Sequence, residues 1–114
     1  MGGMSKRAFA NLENLIDILM RHPRSNPIHS KDLEETFRLP DSQIRKMVSY
    51  LRCKNEPIGS DQNGYFWAVE ADELNETRGH IQGRFRHLQA VDRGVEGAQN
   101  RLRTGKNIRQ GTLL

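Results

Sequence analysis

Six polar and basic side chains lie close together in the middle of the chain, and their types suit hydrogen bonding to a polyanion. They are Ser42, Gln43, Arg45, Lys46, Ser49 and Arg52. Four of them recur at spacings of three and four residues, which places them on one face of a helix, with Gln43 and Arg52 flanking that face. Guanidinium and ammonium groups form ion pairs with phosphates, while hydroxyl and amide groups hydrogen-bond to phosphates and to base edges. The spacing therefore predicts a binding face.

The residues that most often catalyse reactions or bind metals have no working arrangement in this sequence. His80 and His87 are seven residues apart, whereas zinc ligands on a helix are usually three or four apart and have further ligands nearby. Cys53 is the only cysteine, which excludes an internal disulfide, and we interpret it as a surface or half-buried residue and not a nucleophile. A glycine-rich phosphate loop and a nucleophile elbow are both missing from the sequence. We therefore expect no enzymatic activity, no cofactor and no metal site.

Length and charge indicate one small domain with a basic extension. The chain has 114 residues, enough for one core. No apolar run approaches the roughly 18 residues of a membrane span, and no signal peptide opens the chain, so we expect a soluble, cytoplasmic protein without a membrane partner. Residues 1–77 contain ten Lys and Arg against twelve Asp and Glu, whereas residues 78–114 contain eight against two. The basic second part suits a polyanionic partner or is a solvated tail with no specific partner.

Apolar periodicity and capping residues predict three helices, over 5–21, 31–38 and 42–54. The expected N-caps of the second and third helices are Ser30 and Asp41. The apolar stripe expected on the first helix is Phe9, Leu12, Ile16, Leu19 and Met20. The stripe expected on the third helix is Ile44, Met47, Val48 and Leu51.

A β-hairpin is predicted after these helices. Strands at 58–60 and 65–69 flank a turn at 61–64 that contains Asn63-Gly64, a strong hairpin signal. We interpret Tyr65 and Trp67 as anchors of the hairpin in the core, with base stacking as the alternative. Ile28 and His29 are expected to form a very short extended piece.

The segments Lys31–Glu34 and Leu39–Arg52, with the hairpin Pro57–Ala68, resemble winged helix-turn-helix DNA-binding proteins. The resemblance is greatest to the short winged-helix proteins encoded by phages and prophages. It implies a mainly α fold with a small β-hairpin, in which a three-helix core is followed by a wing, and the residues after the wing are expected to add a long C-terminal helix. It also implies that helix 42–54 enters the major groove of double-stranded DNA, and that the wing, 60–64, touches the neighbouring backbone. Since Asp61 makes the wing tip acidic, we assign most of the affinity to helix 42–54 and the C-terminal arginines.

A seven-residue apolar repeat follows the hairpin. Its members are Leu74, Ile81, Leu88, Val95 and Leu102. Such a repeat is typical of a coiled coil, and it predicts a homodimer or higher homo-oligomer through Leu74, Ile81, Phe85, Leu88 and Val95. The alternative is a single amphipathic helix packed on its own domain. Because each glycine costs a helix about 1 kcal/mol, we expect the helix to reach His87 or Ala90 and to break near Gly94 unless a partner supports it.

These patterns divide the chain into a winged-helix domain (5–70), an amphipathic oligomerisation helix (71–103) and a flexible basic tail (104–114). The favoured hypothesis is a sequence-specific DNA-binding protein of phage or prokaryotic origin that acts in transcriptional regulation or replication. Its expected DNA-binding residues are Ser42, Gln43, Arg45, Lys46, Ser49, Arg52, Arg84 and Arg86. The alternative is a non-enzymatic protein-docking module that acts in an assembly or replication complex through its C-terminal helix.

Overall fold

The structure is a computed structural model that describes residues 3–105. This part of the chain forms five α-helices and one β-hairpin. The elements are α1 (Lys6–Ala10), α2 (Leu12–Leu19), α3 (Ser30–Phe37), α4 (Asp41–Cys53), β1 (Ile58–Asp61), β2 (Gly64–Trp67), a 3-10 turn (Ala71–Leu74) and α5 (Asn75–Arg103). The prediction of a mainly helical protein with a small hairpin and a long C-terminal helix is confirmed. The chain divides into two units, 1–78 and 79–114. The predicted tail lies outside the described residues, apart from Thr104 and Gly105 in a turn after α5.

Asn11 divides the first predicted helix in two. The amide nitrogen of its side chain donates to the carbonyl of Arg7 at 2.8 Å, and its backbone N–H bonds to the carbonyl of Ala8. In a continuous helix the Asn11 backbone would itself use the Arg7 carbonyl, so the side chain competes with the helix at this residue. The prediction of one uninterrupted helix over 5–21 is therefore wrong.

The core of the first unit is built from one face of α2, α3 and α4 together with the start of β1. Its most deeply buried side chains are Leu15, Leu19, Leu33, Ile44, Met47, Val48 and Ile58. The stripe predicted on α4 is buried throughout, as expected. On the first two helices, however, Ala8 and Leu15 are buried, while Phe9 and Met20 are more than half exposed. Leu12 and Leu19 of the predicted stripe are buried and Ile16 is half-buried, so the prediction is wrong only at the two ends of the stripe.

A short turn joins α3 to α4, and Arg38 gives it its shape. Arg38 ends α3 in the left-handed region with φ of 55°, which reverses the chain before Pro40. The guanidinium of Arg7 donates to the carbonyls of Phe37 at 3.2 Å and of Arg38 at 3.1 Å. These bonds satisfy carbonyls that the end of a helix leaves without partners, and they tie α1 to the turn.

Both predicted N-caps lie one residue inside their helices. The N-cap positions are His29 and Pro40, and neither side chain makes a capping hydrogen bond. Ser30 and Asp41 are instead the first residues of α3 and α4, and the Ser30 hydroxyl donates to Asp41 Oδ1. This bond links the starts of the two helices.

The hairpin pairs β1 with β2 in antiparallel register, with Ile58 opposite Trp67 and Asp61 opposite Gly64. Gln62 and Asn63 form the loop, and the Asn63 N–H donates to Asp61 Oδ1 at 2.7 Å, as in an Asx turn. The Asn-Gly signal predicted the hairpin correctly, but β2 ends at Trp67 and not at residue 69.

Gly64 is required where the hairpin meets a third extended piece. Ile28 forms an isolated antiparallel bridge with Tyr65, with N–O distances of 2.8 and 2.9 Å, which confirms the short extended piece predicted there. Gly64 has φ of 136°, and a Cβ at this position would lie 2.1 Å from the Ile28 carbonyl oxygen. Any other residue would therefore be strained and would push the bridge apart.

A capping box formed by Glu70 and Glu73 begins the 3-10 turn that leads into α5. Glu73 Oε1 accepts from the backbone N–H groups of Val69 at 2.7 Å and Glu70 at 3.3 Å. These bonds, first from Val69 and then from Glu70, lower the pKa of the Glu73 carboxyl, and the charge of Arg24 lowers it further.

Thr77 then docks the first turn of α5 onto the hairpin. It is 5% exposed, and its hydroxyl accepts from the Ser60 N–H at 3.0 Å and donates to the Ser60 carbonyl at 3.3 Å. One side chain therefore satisfies both backbone groups on the outer edge of β1.

Helix α5 continues without interruption to Arg103, so the expected break near Gly94 is wrong. A Cβ added at Gly79, Gly83, Gly94 or Gly97 would meet no atom within 4 Å. These glycines therefore lie on open parts of the helix surface, where they weaken the helix without disrupting its hydrogen bonds.

Candidate nucleic-acid interface

The outer face of α4 carries the exposed members of the predicted binding set. Ser42 and Ser49 are exposed, and the Arg45 side chain is 66% exposed. The opposite face of the same helix is buried in the core, so the orientation of α4 is fixed by packing. These three side chains project from one rigid surface.

Arg45 is oriented by an ion pair at the start of its own helix. Its Nε lies 3.0 Å from Asp41 Oδ2, and the other Asp41 oxygen accepts from Ser30. The pair joins positions i and i+4 and is largely solvent-exposed, so it is worth only a few tenths of a kcal/mol, roughly 0.3–0.5. A phosphate or a base edge can therefore replace Asp41 as the partner of Arg45 at little cost.

Gln43 and Lys46 are less available, because the first described residues cross their edge of α4. Gln43 Oε1 accepts from the Ser5 N–H at 2.8 Å, and Lys46 Nζ donates to the Gly3 carbonyl at 3.4 Å. Both side chains are half-buried. The Lys46 ammonium keeps further donors for another acceptor, whereas Gln43 is engaged in holding the amino-terminal segment.

Arg52 braces the end of α4 against the hairpin. Its Nε donates to the Ile58 carbonyl at 2.9 Å, and its terminal nitrogen donates to the Ser60 hydroxyl at 3.1 Å. The residue is half-buried. The structure therefore places Arg52 between α4 and β1, apart from the exposed side chains.

Arg84 and Arg86, the two arginines predicted to bind DNA outside α4, lie on α5 in the second unit. Residues two positions apart in a helix point to nearly opposite sides, so these two cannot both face one stretch of phosphates. Arg84 lies beside the apolar stripe of α5, and Arg86 lies on the other side.

The predicted wing tip contributes hydrogen-bonding groups but no cation. Asp61 is half-buried, and Gln62 and Asn63 are exposed. Of the aromatic residues in β2, Phe66 is buried, and Tyr65 and Trp67 are half-buried against the core, as expected for anchors of the hairpin. Their packing favours the core interpretation over base stacking.

Sequence reasoning missed one contributor to this surface, Cys53, and one contact near the end of α4, made by Lys54. Cys53 is exposed and lies one helical turn beyond Ser49, on the same side of α4. Lys54 lies with its ammonium 5.4 Å from the centre of the Tyr50 ring, which in turn makes an edge-on contact with Phe9. The four-residue spacing from Ser49 predicts the position of Cys53, but nothing in the sequence pairs Phe9 with Tyr50.

The residues predicted for oligomerisation separate into two groups. Ile81, Phe85, Leu88 and Val95 are 40–64% exposed on α5. Val91 and Leu102 are exposed as well. Leu74 instead lies half-buried in the 3-10 turn, and Thr77, which the heptad pattern also places on the seam, is docked on β1. The exposed apolar stripe therefore begins at Ile81.

Among residues 3–105 we find no group of three His, Cys, Asp or Glu side chains that could hold a metal ion. Over the same range, none of the helices has the length and apolar character needed to cross a bilayer. Comparison of the chain with protein-family models, with curated proteins and with solved structures finds no match.

Proposed function

We propose that the chain is a sequence-specific double-stranded DNA-binding protein of the winged-helix class, with α4 as its recognition helix. The exposed face formed by Ser42, Arg45 and Ser49 carries this proposal, because it lies on a helix whose other side is held by the core. The connection of α3 to α4 by a short turn, the following hairpin and the Ile28 bridge support it.

Each exposed side chain has a distinct role in this proposal. Arg45 leaves Asp41 and donates to a guanine edge or a phosphate, since both present paired acceptors that match its two terminal nitrogens. Ser42 and Ser49 donate to bases or phosphates, and Lys46 contacts a phosphate with the donors that Gly3 does not use. Arg52 acts indirectly, by fixing the end of α4 to β1.

The first experiment selects bound duplexes from a random pool and measures affinity for the selected sequence at several salt concentrations. We expect Arg45→Ala to weaken binding roughly tenfold and to reduce the salt slope by about one unit if the lost contact is to phosphate. We expect Ser49→Ala to relax the sequence preference. The matched control is Arg21→Ala, which removes an exposed arginine after α2 and leaves the affinity close to that of the wild type. Unchanged binding in both α4 variants would refute the proposed recognition helix.

The single cysteine gives an independent measure of the same contact. Cys53 is exposed on the side of α4 that bears Ser49, so bound DNA should slow its alkylation by a small reagent. A duplex of unrelated sequence, at a concentration where it does not bind, serves as the control. An alkylation rate that stays the same on saturation with the selected duplex would place the DNA elsewhere.

A substitution at Asp41 tests the same contact through an expected increase in DNA affinity. Asp41→Asn removes a negative charge 3.0 Å from Arg45 and keeps an oxygen that can accept from Ser30. The variant should bind DNA more tightly, by roughly threefold, because Arg45 is released and repulsion of phosphate is removed. Weaker binding by this variant would mean that Asp41 orients Arg45 productively and does not compete with DNA.

A second function, protein docking through α5, is favoured by the exposed apolar side chains from Ile81 onwards. We propose that these side chains bind another copy of the chain, so that the DNA-binding unit acts as a homodimer. Sedimentation of the full chain over a range of concentrations tests this. A monomer at all concentrations that binds no DNA would favour a foreign protein partner.

A further inference from the structure

The exposed apolar side chains of α5 are arranged symmetrically about Leu88. Three residues on either side of it lie Phe85 and Val91, and seven residues on either side lie Ile81 and Val95. All five are exposed on one side of a continuous helix. If a second copy of the helix lies alongside in the reverse direction, with the two Leu88 residues level, each of these apolar residues lies level with an apolar residue of the other copy.

Two charged residues beside this stripe lie at equal distances from Leu88 but have opposite signs. Arg84 lies four residues before Leu88, and Asp92 lies four residues after it. Within the described residues, neither side chain has a hydrogen-bond or ion-pair partner. A parallel, in-register pair would place Arg84 beside Arg84 and Asp92 beside Asp92. An antiparallel pair centred on Leu88 would place each Arg84 at the level of an Asp92 of the other copy.

From this pattern we infer that α5 binds a second copy of itself in antiparallel orientation, with Leu88 at the two-fold axis and two Arg84–Asp92 pairs across the interface. A second copy suits the surface because one sequence supplies both the matching apolar positions and the opposite charges. Each helix offers at least five large apolar side chains that are about half exposed, so two copies bury on the order of 1,000 Å² in total, at the lower end of specific interfaces. The inference deepens the proposed self-association and does not depend on DNA binding.

Charge exchange distinguishes the two orientations. Arg84→Asp alone should weaken self-association roughly tenfold in sedimentation experiments, because both attractive pairs become repulsive, and Arg84→Asp with Asp92→Arg should restore it to near the wild-type value. In a parallel pair, the single variant replaces one contact between like charges by another, so the strength of self-association should change little. Circular dichroism at each concentration checks that α5 remains helical. Failure of the double variant to recover would overturn the antiparallel orientation.

Disulfide trapping measures the register directly. In a Cys53→Ser background, copies with Ile81→Cys and differently tagged copies with Val95→Cys are mixed and oxidised. The antiparallel pair predicts the mixed 81–95 disulfide in excess, whereas a parallel pair predicts 81–81 and 95–95 disulfides, since residues 81 and 95 lie about 21 Å apart along one helix. Predominance of the like pairs would overturn the orientation while leaving self-association intact.

The same preparations separate this inference from the proposed DNA binding. A chain that sediments as a monomer overturns self-association itself, whichever orientation was expected. Affinity for the selected duplex, measured on the charge-exchanged double variant, reports on DNA binding alone if the dimer is retained. Loss of DNA binding with the dimer intact would assign Arg84 a DNA contact and would not contradict the antiparallel pair.

Discussion

Replacing Thr77 by valine tests how the hairpin and the start of α5 are held together. Thr77→Val preserves the volume of a side chain that is 5% exposed, but it removes the hydroxyl that bonds to both the N–H and the carbonyl of Ser60. Each backbone group left without a partner costs about 1–3 kcal/mol when it is buried. Because Ser60 is only half-buried, water recovers part of this loss, and we take about 1 kcal/mol for each bond. The expected loss of unfolding free energy is therefore about 2 kcal/mol.

A loss of that size lowers the melting temperature of a domain of this length by roughly 8–15 °C. Urea denaturation followed by the fluorescence of Trp67, the only tryptophan, measures the change next to the affected strand. Thr77→Ser is the matched control, because it retains the hydroxyl and loses one methyl group, at a cost of about 0.8 kcal/mol or less. Hydrogen exchange at the Ser60 amide gives a local measurement. Equal stability of the valine and serine variants, with Ser60 still protected, would refute the role assigned to the hydroxyl.

Three further changes have outcomes that the structure predicts. Gly64→Ala should cost at least about 2 kcal/mol in urea denaturation, because its φ is 136° and its Cβ would collide with the Ile28 carbonyl; wild-type stability would contradict that conformation. Gly94→Ala should stabilise α5 by up to about 1 kcal/mol, seen as slower amide exchange around the site, since the added methyl meets open space; faster exchange would indicate a contact that the glycine permits. The lowered pKa of Glu73 means that its hydrogen bonds contribute stability above the ordinary value of 4.5, and this contribution is lost as the pH falls through the folded-state pKa. Glu73→Gln should flatten that acid-side loss, and an NMR titration of the Glu73 carboxyl with a midpoint at or above 4.5 would contradict it.

The sequence predicted most reliably those elements whose signals are local and strongly periodic. The buried face of α4 follows from its spacing of three and four residues, and the hairpin follows from Asn63-Gly64 between two short apolar runs. The interruption of the first predicted helix arose where a polar side chain competed with the backbone. Asn11 takes a helical carbonyl with its own amide, and the sequence does not distinguish it from an ordinary surface asparagine.

The candidate site was predicted less completely, because the availability of a polar side chain depends on contacts between distant residues. Gln43 and Arg52 have residue types that suit nucleic-acid binding, but their groups bond to Ser5 and to β1. Arg45 and Ser49 suit nucleic-acid binding equally well, and their side chains are exposed. Helical spacing identifies the face, while only the tertiary structure shows which of its members are engaged elsewhere.

The hydrogen bonds from Lys46 to the Gly3 carbonyl and from Ser5 to Gln43 have a practical consequence for expression and assay. A fusion tag joined ahead of Gly3 would begin beside the helix proposed to enter the groove, where its bulk and charge would alter access to Lys46. Affinities obtained with an amino-terminal polyhistidine sequence would then differ from those of the untagged chain. Cleavable purification handles belong at the other terminus, or must be removed without leaving extra residues before the measurement.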